Sequence, residues 1–425
     1  MLRLPDPKKV ALESGATLLY QRNPISPTVA FGVWVSRGSR DEKDSERGLS
    51  HLLEHMIFRG TARRSALDIA LDLEAIGGQW DAFTSKEATC YHGKVLEEHF
   101  DSFTDILSDI VLHPSFPADA LTMEKRVVQE EIRSVGDSPE EATYELFFRS
   151  LFHGDQLGYP VAGRARDVAS CDRDKLVAFH RKNYTGPDMI LGFIGNIPLK
   201  KVVAMVEQRF AFPPGKGRGS RRKKVGSGRK RISSVKLQDS NQSHVCIGAR
   251  TVPISEPDRY PLIVFSNILG GGISSRLFQE LREKEGLAYS VYSQTNFWSD
   301  TGALMSYFSV DPRNLPRAIQ IFEDCMDSVR SSGVSPGELE SSKAQLKASV
   351  VFGMESLDSR LFRLFHSEYY HGVYRTMKTL IRDIEKVSRS DISRVIELYL
   401  SGKDHTYVTC GRRPLRDIVG SRGRS

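Results

Sequence analysis

The sequence predicts an α+β fold of two homologous α/β sandwich domains, each a mostly antiparallel sheet covered by helices. Strand-like and helix-like segments interleave in both halves of the 425-residue chain, which is the pattern of sheets covered by helices. The order of these segments in the first half recurs in the second half. Between the halves lies a basic tract rich in glycine and serine, which is typical of a flexible linker.

Segments rich in β-branched and aromatic residues predict the strands. The first half contains TVAFGVWV at residues 28–35 and YHGKV at residues 91–95. The second half contains HVCI at residues 244–247 and ALMSYFSV at residues 303–310. Such residues fit the pleated, half-buried surface of a sheet. We therefore expect each half to form its own sheet.

Each half then continues with two helical segments separated by a loop that contains proline. In the first half, apolar residues recur at the spacing of one helix face, at Phe100, Phe103, Ile106, Leu107 and Ile110. A second helical pattern follows Pro117. The second half repeats this order, with a helical pattern through Ile319, Phe322 and Met326 and another helix after Pro336. The repeated order predicts that the chain is an internal duplication.

The tract at residues 213–231 contains nine lysines and arginines, no acidic residue and no aromatic residue. Subtracting these nine cations from the net charge of +7 leaves −2, so the rest of the chain is near neutral. The tract at residues 213–231 has too few apolar residues to bury the surface that would offset the entropy cost of ordering it. We predict an N-terminal domain over residues 1–210, a basic linker over residues 211–232 and a homologous C-terminal domain over residues 233–425. A solvated linker is favoured over a nucleic-acid-binding arm, because bases need aromatic side chains for stacking.

Cysteine usage argues against a zinc ribbon or a disulfide framework, and hydropathy argues against a membrane span. The cysteines lie far apart and form no CxxC pair, at Cys90, Cys171, Cys246, Cys325 and Cys410. This usage favours buried thiols in a reducing compartment. No apolar run approaches the 18 residues that a membrane span needs, and the first residues resemble neither a signal peptide nor a transit peptide. We therefore expect a cytoplasmic protein that binds no membrane.

The stretch GLSHLLEHMIFRG at residues 48–60 contains the strongest functional signal. On a helix, positions i, i+3 and i+4 share one face, so His51, Glu54 and His55 lie together. Two imidazoles one helical turn apart can both reach a single zinc ion at ~2.0–2.1 Å. Glu54 is placed to accept a proton from a zinc-bound water, and the H-x-x-E-H order is the signature of inverted zinc peptidases. The alternative is a helix that carries three polar residues by chance.

A catalytic zinc ion needs a third protein ligand and an open fourth position. The segment MEKRVVQEEIRSV at residues 123–135 is an acidic helical stretch. Glu124 and Glu131 are two turns apart and share one face, whereas Glu130 lies about 100° round the helix from Glu131. On these residues alone, the alternative is a solvated helix face.

Together these motifs resemble the pitrilysin/insulinase family of zinc metallopeptidases (M16), and most closely the two-domain branch of mitochondrial processing peptidase and its bacterial relatives. The family pattern G-x-x-H-x-x-E-H-M-x-F-R-G-T is matched over residues 48–61. The resemblance implies that Glu131 joins His51 and His55 as the third ligand of Zn2+. It also implies that Glu124 orients a ligating histidine from behind. One zinc ion per chain is expected, because the second half has only ILGG, residues 268–271, in the region that corresponds to the motif.

The resemblance extends to two further motifs. Within LGGGISSRLFQELREKEGLAYSVYS at residues 269–293, Arg282 and Tyr289 match a family pair seven residues apart that acts on bound peptide. The resemblance implies that Tyr289 donates a hydrogen bond to the developing oxyanion and that Arg282 binds the substrate backbone or steadies the tyrosine.

The second further motif follows Gly77-Gly78, where the family has Asn-Ala-x-Thr on an edge strand that pairs with substrate. Here the substrate-binding positions are Asp81, Ala82 and Phe83. Asp81 departs from the asparagine of many family members, and a carboxylate cannot donate a hydrogen bond as an amide does. A preference for basic substrate side chains is one expected consequence.

The resulting prediction is a zinc endopeptidase that cleaves peptides or unfolded polypeptide segments inside a chamber formed by its two halves or by a dimer. The expected partners are peptide substrates and a second copy of the chain, or a catalytically inert homologue in a heterodimer. No nucleic acid is expected as a partner. The alternative from another class is a proteolytically inert scaffold or partner subunit of the same fold.

Overall fold

The structure is a computed structural model that describes residues 5–217, 231–236, 240–402 and 404–412. Most of the basic linker, residues 218–230, lies outside the described residues. In chain order the strands are β1 (Lys8–Ala11), β2 (Thr17–Arg22), β3 (Thr28–Val35), β4 (Gln79–Thr84), β5 (Thr89–Leu96), β6 (Met189–Gly195), β7 (Arg231–Lys236), β8 (Ser243–Thr251), β9 (Ala288–Phe297), β10 (Gly302–Val310) and β11 (Thr406–Gly411).

The helices lie between groups of these strands along the chain. In chain order they are α1 (Leu49–Ile57), α2 (Ala66–Ala75), α3 (Phe100–Leu112), α4 (Ala118–Asp137), α5 (Pro139–Leu151), α6 (Ala165–Ala169), α7 (Arg173–Asn183), α8 (Leu199–Arg209), α9 (Arg259–Gly270), α10 (Arg276–Phe278), α11 (Leu315–Ser332), α12 (Pro336–Phe352), α13 (Leu357–His371), α14 (Met377–Glu385) and α15 (Arg389–Tyr399). The chain after α10 continues as a π-helical segment over Gln279–Lys284.

The described chain divides into two compact units, and neither is continuous in sequence. Among the described residues, unit 1 contains 5–133, 160–217 and 352–376, and unit 2 contains the remainder. Helix α5, from the first half, therefore belongs to unit 2, and helix α13, from the second half, belongs to unit 1. The predicted division at residues 210 and 232 contains no such exchange, because local sequence patterns do not show which sheet a helix packs against.

Unit 1 contains a mixed sheet with strand order β1-β2-β6-β3-β5-β4. Strands β2 and β6 are parallel, and the other neighbours are antiparallel. Alternate residues of β5 face opposite cores, as the pleat requires. Tyr91 joins the core that α1 and α3 cover, and Cys90 joins the core under α13. Strand β4 forms one edge of this sheet.

Unit 2 contains a mixed sheet with strand order β7-β11-β8-β10-β9. Its parallel pair is β7 and β11, and the other neighbours are antiparallel. This order repeats β2-β6-β3-β5-β4 of unit 1, strand for strand and direction for direction. The predicted duplicated α+β architecture is confirmed, with one parallel pair in each otherwise antiparallel sheet. Within the described residues, no helix combines the length and the apolar character needed to cross a membrane.

Candidate metal centre

Helix α1 presents one apolar face and one polar face. The apolar face is fully buried and follows the i, i+3, i+4 spacing, with Leu49, Leu52, Leu53, Met56 and Ile57. Burial of each such side chain contributes about 1.5–3 kcal/mol. Because these residues fix the rotation of the helix, His51, Glu54 and His55 lie together on its other face, where each is half-buried.

The amino terminus of α1 is held by an acid from the preceding loop rather than by a capping residue of its own. Gly48 precedes the helix with φ +82°, a left-handed conformation that suits glycine. The buried Glu42 carboxylate accepts hydrogen bonds from the N–H groups of Gly48, at 2.8 Å, and of Ser50, at 2.7 Å. These bonds satisfy donors that the first turn of a helix leaves unpaired.

His51, His55 and Glu131 place three ligand atoms within 4.8 Å of one another. The Nε2 atoms of His51 and His55 lie 3.8 Å and 3.6 Å from Glu131 Oε2. Tetrahedral zinc with bonds of ~2.0–2.2 Å requires ligand atoms about 3.4 Å apart, so this set fits a zinc ion with little movement. Burial, with the neighbouring His55 adding to it, lowers the pKa of His51 to about 4 and favours the neutral imidazole that binds metal.

Helix α4 supplies both Glu131 and a second carboxylate two turns earlier. Glu124 is fully buried, and its Oε2 lies 3.0 Å from His55 Nδ1. Its Oε1 forms an ion pair at 2.7 Å with Arg59, which follows α1. A carboxylate behind a histidine fixes the ring orientation and leaves Nε2 directed toward the metal position. Glu130, by contrast, pairs with Arg133 on the exposed side of the helix.

Glu54 lies beside this cluster without belonging to it. Its pKa is raised, chiefly because the carboxylate is buried, and the negative charges of Asp81 and Glu131 act in the same direction. The hydroxyl of Thr84, at the end of β4, donates a hydrogen bond to Glu54 Oε2 and opposes that rise. A carboxylate with a raised pKa that is fixed in orientation suits a group that accepts and returns a proton.

Strand β4 carries the predicted substrate-binding residues at the edge of the sheet. It pairs with β5, and among the described residues no strand pairs with its other edge. Ala82 packs on the core under α1, whereas Phe83 packs against Trp34 and Phe362 on the opposite face. Asp81 is exposed, lies on the same face as Phe83, and accepts a hydrogen bond from the backbone N–H of Ala82 at 2.8 Å.

Several residues around the cluster escape prediction from sequence. Trp80 of β4 is 43% exposed, and its ring lies 5.0 Å from that of Phe58, just after α1. Thr84 and Arg59 lie inside the stretches of sequence that resemble family motifs, so that resemblance could have identified them. No sequence motif points to Glu42, because its hydrogen bonds to α1 depend on how the loop between β3 and α1 folds back.

Arg282 and Tyr289 belong to unit 2. Arg282 Nη1 donates a hydrogen bond to the carbonyl oxygen of Tyr289 at 2.7 Å. Its guanidinium also lies over the rings of Tyr289, at 5.1 Å, and Phe278, at 4.9 Å. The Tyr289 side chain is 74% exposed. Arg282 therefore holds an exposed tyrosine at the start of β9.

Two protein-family models match the chain. The insulinase family, peptidase family M16, matches residues 17–165, which contain the cluster. The peptidase M16 inactive domain matches residues 170–346, which contain most of unit 2. The two matches follow each other along the chain, as expected of a duplication.

Curated relatives match nearly the whole chain. An uncharacterized zinc protease of Mycobacterium tuberculosis is 37% identical over 398 residues, covering 93% of this chain and 91% of the relative. The uncharacterized zinc protease YmxG of Bacillus subtilis is 35% identical over 381 residues, covering 90% and 92%.

Solved structures share the fold. A peptidase M16 inactive domain from Pseudomonas fluorescens has a TM-score of 0.90 at 19% identity and covers 96% of this chain and 98% of its own. A protease from Helicobacter pylori has a TM-score of 0.89 at 20% identity and covers 96% and 100%. At these identities the likeness establishes the fold and leaves the chemistry to the side chains.

Proposed function

The chain belongs to the insulinase family, peptidase family M16, and on that premise we propose that it is a zinc-dependent endopeptidase that cleaves peptides or unfolded polypeptide segments. The observation that carries the proposal is the convergence of His51, His55 and Glu131 on one point, with the Glu54 carboxylate beside it. An inert scaffold of the same fold needs none of these four side chains, so the intact set favours the enzyme.

In this proposal His51, His55 and Glu131 hold one Zn2+ per chain. Zinc in such a site supplies Lewis acidity toward the scissile carbonyl and the attacking water. Glu54 accepts the proton of that water and returns it to the leaving amine, and the Thr84 hydroxyl fixes the orientation of its carboxylate. Glu124 holds the ring of His55 through Nδ1, so that Nε2 is presented to the metal.

The substrate is proposed to add to the open edge of β4 as an extended strand. Main-chain hydrogen bonds then supply most of the affinity, which gives broad sequence tolerance. Because side chains of a strand alternate, one set of substrate side chains would face α1 and the cluster, and the other set would face Asp81 and Phe83. Arg282 and Tyr289 keep their predicted role in binding substrate and stabilising the oxyanion, which the exposed phenol supports.

The decisive test is Glu54→Gln. We expect this variant to bind zinc as the wild type does and to lose turnover of unfolded peptides by roughly 10²–10⁴-fold, because the amide cannot accept the proton. Glu130→Gln is the matched control, since Glu130 is a neighbouring acid that pairs with Arg133 and touches no histidine. Metal analysis and peptide cleavage are measured on the same preparations. Wild-type cleavage by Glu54→Gln would refute the mechanism, and a wild-type chain purified without zinc or activity would favour the inert scaffold.

Cleavage inside a chamber formed by the two halves or by a dimer is part of the same proposal, with a homodimer preferred over a heterodimer. The chain carries both the zinc motif and the Arg282/Tyr289 pair, so it requires no second protein to complete the motif set. Mass photometry of the purified chain tests the assembly. A strictly monomeric chain with full activity would exclude the homodimer.

A further inference from the structure

Helix α13 carries two arginines on the flank of its buried face. Leu361, Leu364 and Phe365 pack on the sheet of unit 1. Arg360 and Arg363 are one helical turn apart and lie beside this buried face of the helix. Arg360 is only 4% exposed, and its Nη2 donates to Gln21 Oε1 of β2 at 2.9 Å.

Both guanidinium groups have buried N–H donors without partners. Arg360 Nε and Arg363 Nη1 are buried, and neither has a hydrogen-bond partner among the described residues. Gln21 Oε1 accepts from Arg360 Nη2 and Gln21 Nε2 donates to the carbonyl of Pro5, so neither bond satisfies Arg360 Nε or Arg363 Nη1. Unpaired buried donors are rare in native proteins and normally mark a bound water, ion or ligand.

Neither arginine forms an ion pair within the part of the chain that the structure describes. Burial lowers the pKa of both groups, and the only opposing influence is the phenol of Tyr374, in the loop after α13. The same unit pairs a fully buried arginine and a partly buried one with acids. Arg40 lies 2.9 Å from Glu87, and Arg64 contacts three aspartates. The arginines of α13 are therefore an exception within their own unit.

A buried cation without an anion is costly, because the guanidinium loses hydration without compensation. A cavity of about 320 Å³ is lined by Tyr374, whose phenol acts electrostatically on both guanidinium groups, together with Lys8 and Ser367, whereas neither arginine lines it. Two acids also line it. Glu368 is neutralised by Lys9 at 2.5 Å, and Asp6 is exposed. The cavity gives a small solute a path to Tyr374.

We propose that Arg360, Arg363 and Tyr374 form a binding site for a small oxyanion, a carboxylate or a phosphate group. Guanidinium groups present paired donors that match the oxygens of both anions. The Tyr374 hydroxyl supplies a further donor. The site uses no residue of the metal cluster, and it does not depend on the proposed peptidase activity.

The test is titration of the full chain with inorganic phosphate and with acetate at constant ionic strength. Binding is followed by calorimetry and by the melting temperature. We expect a saturable rise in melting temperature with at least one anion, and the stronger response identifies phosphate or carboxylate as the preferred class. Arg363→Gln should weaken binding roughly tenfold or more, because it removes a charged pair of donors. Lys182→Gln, which removes an exposed cation of the same unit that pairs with Glu46 and does not line the cavity, should leave binding unchanged.

Arg363 is only partly buried, so its variant is expected to fold, and Tyr374→Phe tests the same site through its hydroxyl. A wild-type chain that responds to neither anion would overturn the proposal. An equal response in wild type and Arg363→Gln would also overturn it, since the anion would then bind elsewhere, for example at the metal.

Discussion

The same three-element arrangement occurs in both units, around α1, β4 and α4 in unit 1 and around α9, β9 and α12 in unit 2. In unit 1, Glu54 of α1 bonds Thr84 of the edge strand. In unit 2, Ser266 of α9 lies 3.2 Å from Ser293 of the edge strand. A polar contact between side chains thus ties each short helix to its edge strand at the corresponding place.

The contact to the long helix repeats as well. His55 of α1 lies 3.0 Å from Glu124 of α4, and Asn267 of α9 donates to Ser342 of α12 at 3.1 Å. Both partners on the long helix are buried, and each lies three residues after a buried leucine. Unit 2 therefore keeps the polar contacts of unit 1 with amide and hydroxyl groups in place of imidazole and carboxylate.

This difference separates what the fold needs from what the chemistry needs. Uncharged side chains satisfy the buried hydrogen bonds between the elements, so the architecture does not require histidine or glutamate there. Zinc does require them, because it prefers imidazole and carboxylate ligands over neutral amides and hydroxyls. Within the described residues, a possible ligand cluster occurs in unit 1 and not in unit 2.

The largest expected effect on zinc binding comes from replacing His55 of unit 1 with asparagine, the residue that unit 2 has at the corresponding place, Asn267. His55→Asn should lower zinc affinity by more than ~100-fold, since even residues behind the ligands typically contribute ~10–100-fold. Zinc content after dialysis against a chelator, together with peptide cleavage, measures this effect. His153→Asn, at an exposed histidine, is the control. Retention of zinc by His55→Asn would show that the ligand set is wrong.

Glu124→Ser gives unit 1 the serine that unit 2 has at the corresponding place, Ser342, and should have an intermediate effect on zinc affinity. The serine cannot reach both His55 Nδ1 and Arg59, so the ring loses its acceptor and the arginine loses its counterion. We expect zinc affinity to fall by ~10–100-fold while the ligands themselves are intact. Competition with a fluorescent chelator measures the dissociation constant. An unchanged constant would mean that packing alone orients His55.

Glu42→Gln should have a smaller effect, because it alters the attachment of α1 and not the ligands. In the variant, an NH2 group replaces one of the two carboxylate oxygens and faces a backbone N–H of Gly48 or Ser50, so one hydrogen bond is lost. We therefore expect a loss of about 1–2 kcal/mol in the free energy of unfolding. Urea denaturation measures this loss. Ser65→Ala removes the cap of α2 and should destabilise by a similar amount. Only Glu42→Gln should also weaken zinc binding, and equal zinc affinity in the two variants would contradict a positioning role for Glu42.

The smallest effect is expected from Asp81→Asn, which restores the amide usual in the family. A cross-strand pair of opposite charges contributes about 0.2–1 kcal/mol, so the variant should reduce a preference for basic substrate side chains only a few-fold. Cleavage profiles on a peptide library that varies lysine and arginine near the scissile bond measure this preference. Identical profiles for wild type and Asp81→Asn would remove Asp81 from the specificity determinants.

The sequence by itself determined the local structure and the spacing of the polar residues on α1. The strand at residues 28–35, the helices that follow residue 99 and Pro117, and the repeated order of elements follow from periodicity and turn residues, which act over a few positions. The spacing of His51, Glu54 and His55 likewise fixes a shared face, because a helix has one geometry. The choice of Glu131 over Glu130 came from family resemblance, since both acids fit an exposed helix.

Tertiary structure decided everything that depends on packing between distant segments. It brought Glu131 within 4 Å of both histidines and directed Glu130 toward Arg133. It exchanged α5 and α13 between the units, and it placed Thr84 against Glu54 while Asp81 faces the other side of β4. It also buried Arg360 and the Nη1 of Arg363 without a carboxylate partner in the described residues. None of this is encoded in local periodicity, because the free energy that selects these contacts comes from burying faces that lie tens to hundreds of residues apart.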